Sequence, residues 1–397
     1  MTKPHASRAH ALLSASGASR WMNCTPSARL EEEYGEKNTS TYAAEGTLAH
    51  ELAELMLRYE VLQNIDQQGY EEEFEKIANN ELFSEEMLEV LPIYTDYCRD
   101  QLIEARASNP LAEMALETKL DLTEYVPESF GTADCSILND DMLEIIDLKY
   151  GKGIPVYAEW NKQLMLYALG ALRQYDLTYD ITTVRITIIQ PRINNISSFV
   201  ISVKELVEWA EEELRPAAEA AFNGEGELNA GEWCRFCAVK NQCRKLYEKQ
   251  MELAKYEFAK PNILTDEEIV DIILRVPSLI EWLNSIVEWA NKQAINNNKI
   301  WPGLKLVEGT SRRRWIEDED KIAQTIFARF PELTEDEVFV TKLKTITDMQ
   351  KVVGKRAFDA LLADVVVKPQ GKPVLVREDD KRPALGNQQA KIDFSED

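Results

Sequence analysis

Apolar residues recur at spacings of three and four over residues 43–62, where Leu48, Leu52, Leu55, Met56 and Tyr59 would share one face, and this spacing predicts a helix. A short helix over 27–34 is expected before it, after a turn-rich segment holding Trp21, Cys24 and Pro26. A second, acidic helical stretch runs over about 84–107 and stops before Asn109-Pro110, because a residue preceding proline is pushed out of the helical region. At Met114 the period changes. Residues 115–122, 131–138 and 142–149 are short runs bounded by turn residues, and Asn139-Asp140-Asp141 suits a hairpin, so the three runs predict an antiparallel meander. A helix over 158–174, strands over 182–190 and 198–202, and a helix over 203–222 follow. Helix, meander, helix, strand predicts an α/β fold with a mixed central sheet, in which the helix after the third strand crosses over to the fourth.

Beyond Gly224-Glu-Gly226 a cysteine-bearing knot spans 233–243 and runs into a polar helix to about residue 258. Residues 262–298 and 318–362 read as helix, 365–376 as a hairpin around Gln370-Gly371, and 377–397 as a disordered tail. The expected organisation is a core over 1–258, a mostly helical region over 259–376 and that tail. The length of 397 residues agrees, since domains average about 150 residues.

Charge narrows the class of partner. Forty-five Lys and Arg against 69 Asp and Glu leave a formal charge of −24, which argues against a protein that coats DNA or anionic membrane non-specifically. A small local basic groove remains compatible with it. No stretch reaches the ~18 uninterrupted apolar residues of a membrane-spanning helix, and the first twenty residues lack an apolar signal region, so a cytoplasmic protein with no membrane partner is expected. Six cysteines are too few for a disulfide-built secreted fold, and clustered cysteines in a reducing compartment point to metal or cluster binding.

Four of the six form a set, Cys24 alone and then Cys234-x2-Cys237-x5-Cys243. Thiolates on a CxxC turn chelate from one side and a third can reach back, which leaves one position for a remote ligand such as Cys24. Tetrahedral zinc and an iron–sulfur cluster both accept four cysteines. One ligand lying 210 residues from the other three is unlike a compact zinc ribbon. Cys98 and Cys135 read as small core residues.

The candidate chemistry centres on Ile146-Asp147-Leu148-Lys149. Asp147 and Lys149 are two apart on a predicted strand and so project from one face, and Asp134 on the preceding strand can come alongside. Converging carboxylates repel unless a cation lies between them, and oxygen ligands suit Mg²⁺ or Mn²⁺. A lysine beside them can orient water or steady the charge of a phosphoryl transition state. Gln163 and Tyr167, four apart on the following helix, share a face, as do His50 and Glu54. His5 and His10, the other two histidines, lie in the N-terminal tail, and Glu117 on the first strand is a weaker candidate.

In the order Gly46-Thr-x-x-His50-x-x-x-Glu54, Gly131-x-x-Asp134, Ile146-Asp147-x-Lys149 and Gln163-x-x-x-Tyr167, bracketed by the one-plus-three cysteines, residues 12–250 resemble the RecB-like branch of the PD-(D/E)XK nucleases. Within it they are similar to the iron–sulfur nucleases of the AddB and CRISPR-adaptation type, and the overall texture looks like a phage-borne member. The resemblance implies a restriction-endonuclease-like core with an iron–sulfur-stapled helical periphery. It implies His50, Asp134, Asp147 and the Leu148 carbonyl as ligands of Mn²⁺ or Mg²⁺, Lys149 as catalytic lysine, and Gln163 and Tyr167 as DNA contacts. Cys24, Cys234, Cys237 and Cys243 would hold a [4Fe–4S] cluster. The family's name-giving proline is absent, since the segment reads Gly131-Thr-Ala-Asp134, and this branch commonly lacks it.

A DNA exonuclease for recombination or end processing is the expectation, with DNA and a phage recombination protein as partners in a bacterial host cytosol. The alternative is a non-catalytic DNA-end-binding or recombinase-partner module, against which the intact Asp134, Asp147 and Lys149 speak. Candidate phosphate contacts are Lys152 and Lys162 near the site, Arg235 and Lys240 beside the cysteines, and Arg312, Arg313 and Arg314 in the C-terminal region.

Overall fold

In the structure, a computed structural model, residues 11–35, 41–252 and 264–304 are described, together with Lys321, Gln324 and Ala328. The helix expected near residue 50 is there. Two short helices, α1 (Ala18–Asn23) and α2 (Ser27–Tyr34), precede α3 (Thr41–Glu60), whose Leu48, Leu52, Leu55 and Met56 are buried as their spacing requires. An unforeseen helix α4 (Gln67–Ala78) follows, opened by Asp66, whose carboxylate accepts the Gly69 N–H. The single helix predicted over 84–107 is two, α5 (Glu85–Val90) and α6 (Pro92–Ser108). Pro92 has no N–H with which to continue α5, and it suits the first turn of α6.

The meander forms as β1 (Glu113–Asp121), β2 (Phe130–Asn139) and β3 (Met142–Leu148), antiparallel throughout. Helix α7 (Lys162–Tyr175) starts later than the apolar pattern suggested, because the Asn161 side chain caps it by accepting the Leu164 N–H. It crosses over to β4 (Thr183–Gln190), which is parallel to β3, and β5 (Asn195–Ser202) returns antiparallel. The sheet is therefore mixed, in the order β1-β2-β3-β4-β5, with β3 in the middle. Leu143 to Leu148 are all buried, as expected of a strand covered on both faces. One face packs against α7 through Leu143, Ile145, Ile186 and Ile188; the other packs against α3 and α6 through Ile137, Ile146, Leu148 and Ile189. Small residues let α7 approach closely: a Cβ at Gly170 would stand 2.8 Å from Leu122 Cδ2.

The helix predicted over 203–222 is α8 (Val203–Trp209) and α9 (Arg215–Asn223), joined by a wider turn over Ala210–Leu214 just before Pro216. Helices α10 (Arg244–Met251) and α11 (Asp266–Asn296) follow the cysteine knot, and Trp282 of α11 packs with Ala230 and Leu246 beside Cys234 and Cys243. The chain divides into two units, residues 1–289 and 290–397. In the second, the Trp301 indole N–H donates to the Ala290 carbonyl at 3.1 Å. The boundary expected at 258, the basic run 312–314, the hairpin 365–376 and the tail lie outside the described residues. Among the described residues no helix is long and apolar enough to cross a membrane.

Candidate functional site

The β1–β2 pairs on either side of Asp134 set it opposite Glu117, and the β2–β3 ladder, which ends at Cys135↔Ile146, puts Asp147 at the next position along. Three carboxylates thus fall in one row across three strands. The β1–β2 ladder skips this row: pairing runs to Leu116↔Cys135 and resumes at Thr118↔Ala133, and Glu117 takes a left-handed φ of 44°. Leu116 and Cys135 pack on the α3 side whereas Leu120 and Ala133 pack on the α7 side, so both strands change face here. That break is what brings the Glu117 carboxylate into the site.

His50 of α3 meets the row from the helical side, with its Nδ1 3.3 Å from Asp134 Oδ1. One donor atom each of His50, Glu117 and Asp134 lies within 4.8 Å of the other two. The second oxygen of Asp134 accepts the Leu148 N–H at 2.8 Å, which fixes the carboxylate's plane. Asp147 belongs to a neighbouring network. Its Oδ1 accepts from Lys149 Nζ at 3.2 Å and from Gln163 Nε2 at 3.1 Å, and Lys149 Nζ also donates to Gln163 Oε1 at 3.0 Å. Gln163 in turn donates to the Tyr167 hydroxyl at 3.0 Å. Tyr167 lies against bare backbone, since a Cβ at Gly131 would stand 2.6 Å from its Cε1. No such contact explains Gly46, where an added Cβ meets nothing within 4 Å.

The ionisation of this site follows from crowding. Burial pulls the His50 imidazolium down, but the charge and hydrogen bond of Asp134, helped by Asp147, outweigh it and push its pKa up to about 9. Burial first, then the charges of Asp134, Glu54 and Asp147, push Glu117 up to about 7. Burial also raises Asp147, against the pull of Lys149. Lys149 loses by burial and gains more from Asp147 and Asp134, so it stays an ammonium. Burial and the nearby carboxylates hold Tyr167 well above the ordinary phenol range.

These residues fit a divalent cation. Asp147 Oδ2 is buried and accepts no hydrogen bond, although Lys149 Nζ approaches to 2.9 Å out of line with it. A donor set of carboxylate oxygens and one imidazole suits Mn²⁺ or Mg²⁺. Glu117, ranked low by sequence, belongs to the tight trio, whereas Asp147 stands beside it. Only the register of β1 on β2 marks Glu117 out.

Cys24, Cys234, Cys237 and Cys243 line one cavity, with Arg20, Asn229, Trp233 and Leu246 among its other walls. The Asn229 N–H points at Cys24 Sγ from 3.5 Å and the Gly231 N–H at Cys234 Sγ from 3.4 Å, as suits thiolates. Burial, with Glu31 adding to it, pushes the Cys237 thiol up to about 12, so binding a metal there must expel a proton. A convergent four-thiol cavity fits either zinc or an iron–sulfur cluster. The remaining cysteines, Cys98 and Cys135, are buried in the core.

The basic candidates are mostly engaged. Lys152 pairs with Glu86 at 2.9 Å and Arg235 with Glu281 at 3.4 Å. Lys240 donates to the Arg235 carbonyl at 2.8 Å, and Lys162 is half-buried at the start of α7. Arg312, Arg313 and Arg314 lie outside the described residues. Sequence reasoning missed Arg192, whose guanidinium bonds Glu45 and Glu86 at 3.1 and 2.8 Å and lies 4.4 Å over the Tyr150 ring, bracing the segment after Lys149 against α3 and α5. No motif marks it.

A family described as "Protein of unknown function (DUF2800)" matches residues 10–383, nearly the whole chain. A solved structure described as "Crystal structure of SSO0001" is 14% identical over 56% of this chain and 95% of its own, at a TM-score of 0.22, a likeness too slight to carry any argument.

Proposed function

We propose that this chain, which belongs to the DUF2800 family, is a divalent-metal-dependent DNA nuclease of the RecB-like PD-(D/E)XK type, an exonuclease acting in recombination or end processing. The observation that carries the reading is that His50, Glu117 and Asp134 meet beside the Asp147–Lys149–Gln163–Tyr167 network, where helices α3 and α7 reach the sheet from either side. His50, Glu117 and Asp134 would hold the cation, with Asp147 and the Leu148 carbonyl beside it. Bound there, a divalent ion supplies charge to a phosphate oxygen and acidifies water. Lys149 keeps its proton and stands where it can steady the charge that develops on the phosphate. Gln163 holds both Asp147 and Lys149, and Tyr167 holds Gln163, so the helix sets the geometry of the strand.

The four thiols would hold a [4Fe–4S] cluster that joins the segment around residue 24 to that around 240, in a restriction-endonuclease-like core. DNA, a phage recombination protein as partner and a bacterial host cytosol go with this reading. Anaerobically purified protein should be brown, and equimolar zinc without iron would remove the cluster from it. The test of function is digestion of end-labelled single- and double-stranded DNA with Mn²⁺ or Mg²⁺. Asp147→Ala and Lys149→Ala should each abolish cleavage while the protein stays folded, because groups acting as one unit do not lose rate additively. If Asp147→Ala digests DNA as fast as the parent, the chemistry does not belong to this site, and a non-catalytic DNA-end or recombinase-partner module becomes the better account.

A further inference from the structure

Between Lys149 and Gln163 the chain crosses the β4–β5 edge of the sheet on a pinned segment. The Val156 N–H donates to Gln190 Oε1 at 2.6 Å, Gln190 Nε2 to the Ile154 carbonyl at 3.0 Å, Asn195 Nδ2 to the Val156 carbonyl at 2.9 Å, and the Ala158 N–H to Ser197 Oγ at 3.0 Å. Four hydrogen bonds hold this backbone, yet it presents large apolar side chains to solvent: Tyr157 is 49% and Trp160 51% exposed. Trp160 leans one side of its ring on Phe199, with centroids 5.6 Å apart. It also sits at φ 50°, a left-handed conformation that bulky residues avoid and that glycine or asparagine takes readily. Packing on Phe199 accounts for one side of the ring and leaves about half of the side chain exposed, and strain held by a rigid surround points to a functional position.

We propose that Trp160 and Tyr157 form a stacking platform for unpaired bases of a nucleic-acid strand entering the candidate site, an inference that rests on the nuclease reading. The register carries Asp147 to Ile188 of β4 and on to Ser197 of β5, the residue to which Ala158 is tied. Two strand spacings, roughly 10 Å, separate Asp147 from Ser197, where the segment carrying Tyr157 and Trp160 is tied, a reach on the scale of a few stacked bases. Stacking on aromatic rings needs no sequence and little positive charge, which suits a chain of net charge −24 with Lys152 already paired to Glu86. Because the segment is fixed before the strand arrives, little conformational freedom is lost on binding. A duplex end keeps its bases stacked on one another, so the platform favours unpaired over paired ends.

The test is fluorescence anisotropy of the full chain with a labelled oligothymidylate and with a blunt hairpin duplex, without divalent metal so that nothing is cut. Trp160→Asn, which suits the left-handed backbone, should keep the parent's melting temperature and weaken single-strand binding roughly five- to a hundredfold, with duplex binding within about twofold of the parent. Trp160→Phe should recover most of the loss, and Tyr157→Ser should weaken single-strand binding in the same direction even if Trp160→Asn proves unstable. Equal single-strand binding by the parent, Trp160→Asn and Tyr157→Ser overturns the platform, as does an equal loss on duplex, which would mark a general surface effect, or a parent that binds no single strand. Cleavage by the parent with Mn²⁺ decides the nuclease reading separately. A parent that cuts DNA while these variants bind unchanged removes the platform alone, and one that never cuts but loses single-strand binding in them keeps the platform and removes the nuclease.

Discussion

Cation binding should be steeply dependent on pH, because the cation has to displace protons that the fold itself retains. His50 at about 9 and Glu117 at about 7 are both protonated in mildly acid solution. A metal takes the neutral imidazole and the bare carboxylate. Treating the two as independent sites, protonation weakens the apparent affinity for Mn²⁺ roughly 900-fold between about pH 8 and about pH 6. Calorimetry in buffers of different ionisation heat counts the protons released, which should be nearly two near pH 6 and about one near pH 8. Glu117→Gln should remove the second proton. The metal-free protein should show the opposite trend in stability. The raised His50 contributes stability that is complete below about pH 6.5 and lost as pH climbs through 9, at most about 3 kcal/mol. Raised Glu117 favours the fold while protonated, and its penalty grows from about pH 4.5 to 7. The metal-free melting temperature should therefore fall between about pH 6 and pH 9, and saturating Mn²⁺ should reverse that fall. An affinity that is flat across this range, or binding without proton release, would refute the assignment of His50 and Glu117 as ligands.

Gly131→Ala should displace Tyr167, cost about 1–3 kcal/mol in thermal unfolding, and lower kcat, because Gln163 then loses the hydroxyl that orients it. Parent-like kcat in that variant would show the Gln163–Tyr167 bond to be idle. Cys243→Ala should lose bound metal and melt at a lower temperature but still fold. The ends it helps to join are also held by Arg29 Nε to the Phe222 carbonyl at 2.7 Å, by the Ala238 N–H to Glu31 at 2.7 Å and by Asn229 to the Asn23 carbonyl at 3.1 Å. Circular dichroism and metal analysis read the two effects apart.

The strands were legible because β3 and β4 place apolar residues on both faces, Leu143, Ile145, Ile146 and Leu148 in one and Val184, Ile186, Ile188 and Ile189 in the other, a pattern that suits a sheet covered on both sides. Helix α4 was not, since glutamates and glutamines dominate it and Ile77 is its one buried residue. In the site, His50, Asp134, Asp147, Lys149, Gln163 and Tyr167 announce themselves by spacing within single elements or neighbouring strands. Glu117 and Arg192 do not, because their positions depend on what lies across a ladder or between helices. Charge shows the same limit from the other side. Lys152 and Arg235 read as free cations in the sequence, yet Glu86 and Glu281 neutralise them in the fold. With Lys149, Lys152 and Arg235 each paired to a carboxylate, a polyanion reaching the carboxylate row would have little electrostatic help from them and would have to be gripped by other means. Aromatic faces on a fixed backbone are one such means that does not depend on net charge, and this is why the segment between Lys149 and Gln163, rather than the basic residues, is the place where substrate selection should be sought.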